Sequence, residues 1–198
     1  MKRATPSAPL KPAMDTNSYA DFFSEFMGET DRAAIVLGAA QMDALLEAIL
    51  KARLIEPKKD LFAFQGPFGT FSGKIETASV VGAIDRSFAN KLHLVRNIRN
   101  ACAHDVRRVQ LDTGGVAQQI DDLSKAFSDT PYWEESRKQA GQIFEKTGNS
   151  LTLRFAIALL VANLALALNN VPKIDGRTAH RLILSKPTAK PKKLTTDK

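Results

Sequence analysis

The chain has 198 residues, of which 44% are hydrophobic and 25% are charged, so it can bury one globular core but is short for two. Its formal net charge of +7 resembles that of a nucleic-acid-binding protein, but the excess lies at the two ends. Residues 1–14 carry +3 and residues 172–198 carry +6, which leaves 17 basic and 19 acidic residues, a net −2, between them. This balance excludes a globular part that is basic throughout.

Both ends are rich in Pro, Ser, Thr and Lys and show no apolar periodicity, which predicts disordered tails at 1–14 and 172–198. Basic tails of this kind either add a salt-sensitive attraction to phosphate backbones or raise solubility. The first 13 residues lack the apolar run of a secretion signal, and the single cysteine, Cys102, permits no disulfide framework within the chain. We therefore expect a cytoplasmic protein.

Between these tails, hydrophobic periodicity predicts helices only. A first short helix runs from about Asn17 to Met27, and we assign its aromatic residues to the core. Thr30 or Asp31 then begins a long helix that ends near Leu54. Glycine and alanine make this helix slim over residues 33–40, which favours the close approach of another helix and gives weak support for a homodimer.

Two acidic residues of the long helix, Asp43 and Glu47, lie one turn apart and project together. Carboxylates at this spacing most often face solvent. The alternative is that one of them pairs with Arg96 or Arg99, because the helix that carries those arginines has no carboxylate of its own before Asp105.

A stretch rich in glycine and phenylalanine, LFAFQGPFGTFSGKI, occupies residues 61–75. It lacks the spacing of a phosphate-binding Walker loop, because Phe68 stands where the first glycine is needed and Ile75 where Ser or Thr must follow the lysine. We interpret the stretch as a tight apolar turn before a helix that Thr70 or Ser72 caps and that runs through Val81. The residues expected to pack against the bundle are Phe62, Phe64, Phe68 and Phe71.

The clearest functional pattern is LHLVRNIRNACAH, residues 92–104, on a helix that begins near Phe88. At 100° per residue one side is apolar, and the other collects His93, Arg96, Asn97, Arg99, Asn100 and His104. Exposed helix faces usually mix lysine with glutamate, whereas residues 86–108 carry a local charge of +5. This composition suits an anion, and the residues predicted to bind phosphate or nucleic acid are Arg96, Arg99, Arg107 and Arg108.

Three further helices are predicted at about 116–127, 132–145 and 151–169, with Gly148 and Asn149 ending the second and Ser150 capping the last. The uncharged run of the last helix, 155–168, is too short to span a bilayer, so we predict a buried central helix and no membrane association. The whole pattern predicts an all-α, single-domain bundle of six or seven helices over residues 15–171.

Four stretches together resemble the mannitol operon repressor (MtlR) family, in the same order and spacing over about residues 29–128. They are Asp31-Arg32, Gln41-Met42-Asp43, the glycine stretch 66–75, and Ile98 to His104. The resemblance implies an all-helical fold and a repressor-type role in the transcription of sugar-alcohol uptake genes, exerted through a protein partner or nucleic acid. It also implies a homodimer.

The sequence Arg99-Asn100-x-x-x-His104 also resembles the catalytic motif of HEPN-domain ribonucleases. By that resemblance His104 is the general base on a ribose 2′-hydroxyl, Arg99 holds the scissile phosphate and Asn100 orients the histidine or the substrate. Such an enzyme needs no metal or cofactor and leaves cyclic phosphate ends. On a continuous helix Arg99 points about 140° away from His104, so the two converge only if the helix ends near Ala103 or a second subunit supplies one of them.

A purely structural interpretation of the same motif stands beside these. Arg99 pairs with Asp43 or Glu47, His104 caps the helix C-terminus, and Asn100 satisfies a neighbouring backbone group. The sequence therefore leaves three roles open for the motif: helix packing, catalysis by a metal-independent ribonuclease, and non-catalytic contact with phosphate or RNA. We predict neither a metal nor another cofactor.

Overall fold

The computed structural model describes residues 16–55, 58–104 and 109–174. Within these residues the chain forms seven α-helices and no strand, which confirms the predicted all-α bundle. A short 3-10 helix, Lys59–Phe62, precedes the third α-helix. The α-helices are α1 (Thr16–Gly28), α2 (Asp31–Arg53), α3 (Phe71–Val80), α4 (Arg86–His104), α5 (Gly114–Ala126), α6 (Trp133–Phe144) and α7 (Gly148–Asn170).

The core lies where α2 and α7 pack along each other. α2 also contacts α1, α3 and α4, while α5 contacts both α4 and α7, and α6 packs on α7. Apolar side chains from these helices form one cluster, to which Leu46, Leu92, Ile120 and Ile157 contribute fully buried groups. Because α7 is apolar on nearly all sides, it fits only a central position, as predicted.

The slim segment of α2, residues 33–40, packs against α7 of the same chain. Gly38 is buried against α7, where a Cβ would lie 2.4 Å from Cγ2 of Ile157. This confirms the predicted close helix approach. Since Ala34 and Ala39 are buried as well, the small residues serve packing within one chain and lend no separate support to a homodimer.

Helix starts agree with the predicted caps except at α7. The Oγ1 atoms of Thr30 and Thr70 accept hydrogen bonds from backbone N–H groups three residues later. α7, in contrast, begins at Gly148, two residues before the predicted cap. The backbone of Gly148 is left-handed, with φ of +58°, and the Ser150 hydroxyl donates to Oδ1 of Asp31 instead of capping its own helix.

Two helices, α2 and α7, have the length and mean hydropathy of membrane spans. α7 is longer than its uncharged run, 155–168, because the helix begins at Gly148 and includes Arg154 ahead of that run. In each helix we consider the 18-residue segment with the highest mean hydropathy. Of this segment, 50% is buried inside the bundle in α2 and 56% in α7, as in the core helices of globular proteins.

The packed part of the chain extends past the predicted end at Val171. Arg53 Nη1 donates to the carbonyl of Pro172 at 2.6 Å, and the N–H of Ile174 donates to the Arg53 carbonyl at 2.9 Å. These two bonds hold residues 172–174 against the end of α2. The remainder of both predicted tails, 1–14 and 175–198, lies outside the described residues.

Candidate functional site

The glycine stretch forms a compact loop whose backbone folds onto the 3-10 helix. The N–H of Phe68 donates to the Leu61 carbonyl at 2.8 Å, and the N–H of Gly66 donates to the Ala63 carbonyl at 2.7 Å. A Cβ on Gly66 would lie 2.3 Å from the Asp60 carbonyl oxygen, and one on Gly69 would lie 2.1 Å from that of Ala63. Close backbone packing therefore explains these glycines, and a phosphate cradle is not needed to explain them.

One of the four phenylalanines in this stretch departs from the prediction. Phe62 and Phe71 are half-buried against the core, and Phe68 is half-buried against Phe62. Phe64 instead is 88% exposed. The expectation that it packs against the bundle was wrong, and the flanking residues Ala63 and Gln65 are exposed with it.

The acidic pair of α2 binds a lysine of α3 that sequence reasoning had not singled out. Lys74 is buried, and its Nζ lies 2.8 Å from Oδ2 of Asp43 and 2.8 Å from Oε2 of Glu47. Glu47 also accepts a hydrogen bond from Lys51 at 2.6 Å. The predicted pairing of Asp43 or Glu47 with Arg96 or Arg99 was therefore wrong: Lys74 reaches the carboxylates directly from a nearer helix.

The pKa values in this cluster follow from the pairing. Burial by itself would lower the pKa of Lys74, but the hydrogen bonds to Asp43 and Glu47 outweigh it and raise that pKa. The pKa of Glu47 is lowered by its hydrogen bonds with Lys51 and Lys74. Both shifts favour the charged forms of Lys74 and Glu47, and the cluster links α2 to α3.

Arg96 connects α4 to the beginning of α3. Its Nη1 donates to the Ser72 hydroxyl at 2.6 Å, and its Nη2 donates to Oδ1 of Asn97 at 2.9 Å. The side chain is half-buried, and its Nε is buried without a hydrogen-bond partner. Arg96 thus already serves helix packing, and its predicted contact with phosphate stays a prediction.

Arg99 lies on the exposed side of α4, where its Nη1 donates to Oδ1 of Asn100 at 2.9 Å. The helix continues through His104, so no early end of α4 brings the arginine and the histidine together. The His104 side chain and residues Arg107 and Arg108 lie outside the described part of the chain. The proposed catalytic set Arg99, Asn100 and His104 therefore stays a prediction.

The remaining histidine of the motif is hydrogen-bonded to a carboxylate of α3. Nε2 of His93 lies 2.8 Å from Oε1 of Glu76, whose other oxygen accepts from Arg86 at 2.9 Å. These hydrogen bonds, that of Arg86 first, lower the pKa of Glu76. His93 is partly buried and joins α4 to α3, as expected for a packing residue. Among the described residues, no three His, Cys, Asp or Glu side chains are grouped so that they could hold a metal ion.

A pocket with a volume of about 390 Å³ brings three of the sequence stretches together. Its walls come from Val36 and Ala40 of α2, Phe71 at the start of α3 and the exposed Phe64 of the loop, with Arg99 of α4 at its edge. Asp43 and Thr70 add polar groups. We take this pocket, with Phe64 and Arg99 beside it, as the candidate functional site and call it the Phe64–Arg99 surface.

The most deeply buried charged side chain among the described residues, Arg154, was not predicted from the sequence. Arg154 of α7 is 1% exposed, and its Nη1 donates to Oδ1 of Asp31 at 2.6 Å and to the Ser150 hydroxyl at 2.7 Å. Its Nη2 donates to the Glu29 carbonyl at 2.6 Å. An arginine directly before the uncharged run of α7 was the available signal, because a charge in an otherwise apolar helix requires a partner.

The helical arrangement is similar to that of a solved protein. MtlR in the X-ray structure of the MtlR-HPr complex from Escherichia coli superimposes with a TM-score of 0.53 and 14% sequence identity. The match covers 77% of this chain and 97% of that chain. No protein-family model and no curated protein sequence matches the chain. The likeness therefore concerns the fold.

Proposed function

We propose that the chain is an MtlR-related regulator that acts by binding a protein partner. The observation that carries this proposal is the fold similarity to MtlR, which extends over 97% of a chain solved in complex with HPr. The four sequence stretches that resemble the MtlR family support it independently, because three of them meet at the Phe64–Arg99 surface.

The hydrogen bonds of the described α4 side chains favour a binding protein over an enzyme. Arg96 is hydrogen-bonded to Ser72, His93 to Glu76, and Arg99 to Asn100. Catalysis requires an acid, a base and a charge-stabilising group aimed at one reacting atom. These polar groups point instead to neighbouring helices or along the surface of their own helix, as in a packed scaffold that presents a surface to a partner.

The proposed partner is a protein of the HPr type. The test is calorimetric titration of the full chain with HPr from the organism that makes it, and with Escherichia coli HPr as a second probe. Saturable 1:1 binding is expected, with an unrelated small protein of similar charge as the negative control. Absence of binding by both HPr proteins at about 100 μM, where a weak complex still forms, would contradict the proposal.

The proposed regulatory role is repression of a sugar-alcohol uptake operon. Deletion of the gene is expected to raise the transcript of that operon in the absence of its sugar alcohol, and the intact gene supplied in trans is expected to restore repression. An unchanged transcript would separate partner binding from transcriptional control and reject the repressor role.

The ribonuclease alternative has a direct test of its own. A metal-free RNA cleavage assay on the wild type, Arg99→Ala and His104→Ala distinguishes the two functions. A regulator leaves no cyclic phosphate ends in any of the three samples. Cleavage by the wild type that both substitutions abolish would establish the enzyme instead.

A further inference from the structure

A second pocket lies between the end of α5 and the beginning of α6. Its volume is about 550 Å³, which falls in the range of about 300–1,000 Å³ usual for small-molecule sites. The buried Trp133 forms part of its wall, and the centroid of that ring lies 4.7 Å from the stacked ring of Phe127. The pocket shares no lining residue with the Phe64–Arg99 surface and is therefore a separate candidate site.

Tyr132 contributes an exposed aromatic ring to this pocket, in a backbone conformation that tyrosine seldom adopts. Its φ is +59°, and the N–H of Trp133 donates to the Thr130 carbonyl at 3.2 Å, which closes a turn with Pro131 and Tyr132 at its centre. Glycine is the usual residue with positive φ in such a turn. The ring is 82% exposed, so packing inside the bundle does not explain the tyrosine. A side chain kept in an unfavourable conformation without packing indicates a role in binding.

The pocket also collects hydroxyl groups that form no hydrogen bond within the described part of the chain. They belong to Ser124, Ser128, Thr130 and Tyr132. Glu134 and Glu135 add carboxylates, each of which accepts a hydrogen bond through one oxygen, from Arg137 and from Gln139 respectively. The pocket therefore offers hydrogen-bond donors and acceptors together.

The charges in the pocket disfavour an ionic ligand. An anion would meet the carboxylates of Glu134 and Glu135, and a cation would meet the ammonium group of Lys125. Two of these charges are already compensated, since Lys125 pairs with Asp121 and Glu134 pairs with Arg137. An apolar ligand would bury the hydroxyl groups without giving them partners, which is costly. A neutral ligand with several hydroxyl groups avoids both penalties.

We propose that this pocket, called here the Tyr132 pocket, binds a neutral polyhydroxylated ligand, a sugar or a sugar alcohol. The C–H groups of such a ligand pack on the ring of Tyr132, whose face carries partial negative charge. Its hydroxyl groups donate to Glu134 and Glu135 and exchange hydrogen bonds with Ser128 and Thr130. Binding in the Tyr132 pocket does not require the HPr-type partner, so the two proposals can fail separately.

Tryptophan fluorescence of the full chain tests the proposal, because Trp133 is the single tryptophan and lines the pocket. The probes are xylitol, D-mannitol and D-glucose, with choline as a cation and inorganic phosphate as an anion for comparison. We expect a saturable change with at least one neutral probe, with a dissociation constant of about 1 mM for a ligand of this size, and none with the two ions. Calorimetry on the same samples measures the constant independently.

Substitutions test whether the ligand lies in the Tyr132 pocket. Tyr132→Gly removes the ring at a position that suits glycine, so it should raise the dissociation constant about 10-fold or more without lowering the urea midpoint of unfolding. The double variant Ser128→Ala, Thr130→Val removes two hydroxyl groups and should raise the constant about 5-fold or more. Val80→Gly, at an 83% exposed residue of α3, is the control and should leave the constant unchanged.

Four results would overturn the inference. The first is no saturable response to any neutral probe up to about 50 mM, where millimolar binding is complete. The second is binding that Tyr132→Gly and the double variant leave unchanged, which would place the ligand elsewhere. The third is a response to choline or phosphate in place of the neutral probes. The fourth is a Tyr132→Gly protein that unfolds at clearly lower urea than the wild type, which would give the tyrosine a structural role.

Discussion

Two arginines on helices of this bundle lie in opposite environments. Arg154 is 1% exposed and donates to a carboxylate and a carbonyl at the junction of α1 and α2 and to a hydroxyl of its own helix. Arg99 is exposed and donates to the neighbouring Asn100. The first joins α7 to the junction of α1 and α2, whereas the second lies at the edge of an apolar recess.

The environment of each of the two guanidinium groups determines its role. A buried guanidinium is stable only with its partners in place, so Arg154 and Asp31 constrain each other and the fold around them. An exposed guanidinium carries no such requirement, because water solvates it, and it remains available to another molecule. Substitutions around Arg154 should therefore alter the free energy of unfolding, and substitutions around Arg99 should alter binding to another molecule.

The largest effect is expected for Asp31→Ala, which leaves the buried Arg154 without its carboxylate. Removing one member of a buried pair costs about 3–5 kcal/mol, and because the Asp31 side chain is 36% exposed we expect about 2–3 kcal/mol here. Urea unfolding measures the free energy. Asp121→Ala, which removes the exposed pair with Lys125, is the control and should leave the free energy of unfolding almost unchanged. Equal losses in the two variants would contradict this assignment.

The next largest effect is expected for Lys74→Ala. The substitution removes a buried cation and leaves Asp43 and Glu47 one turn apart without their shared partner. We expect a loss of about 2 kcal/mol in the free energy of unfolding. Lys51→Ala removes only the exposed partner of Glu47 and serves as the control. A Lys74→Ala protein as stable as the control would show that the cluster adds nothing to the fold.

A smaller effect is expected from pH. The pKa of Asp31 is lowered, because hydrogen bonds from Arg154 and Ser150 outweigh the burial that alone would raise it. A carboxyl with a lowered pKa stabilises the fold fully above its unfolded value of about 4 and loses this contribution as the pH falls through the folded value. Asp31→Asn should therefore give a shallower loss of stability below pH of about 4. An unchanged acid slope would exclude Asp31 as a contributor.

Lys74 is expected to make the free energy of unfolding depend on pH in the opposite direction. Its pKa is raised, so its contribution is fully present below its unfolded value of about 10.4 and is lost as the pH rises through the folded value. The alkaline loss of stability should accordingly be smaller in Lys74→Ala than in the wild type. Unfolding midpoints measured in steps of pH on both sides of neutrality distinguish the two groups.

The smallest effect on stability is expected for Arg99→Ala. An exposed arginine that bonds to its neighbour contributes under about 0.5 kcal/mol to folding. Urea unfolding measures this free energy as well. A destabilisation comparable with that of Asp31→Ala would refute the contrast between the two arginines.

Local residue patterns predicted which parts of the chain form helices and where most of those helices begin. Apolar spacing indicated every α-helix in the described residues, and Thr30 and Thr70 were recognisable as caps, because periodicity and capping depend on residues only a few positions apart. The glycine stretch was recognisable as a tight turn for the same reason.

The pairing of charged groups, in contrast, is set by how the helices pack in the bundle. Lys74 rather than Arg96 or Arg99 binds the acids of α2, Ser150 bonds to Asp31, and Phe64 faces outward. Each outcome depends on the distances between helices far apart in sequence, which local periodicity does not encode. A side chain pairs with the group that packing brings within about 3 Å, and packing is a property of the whole bundle.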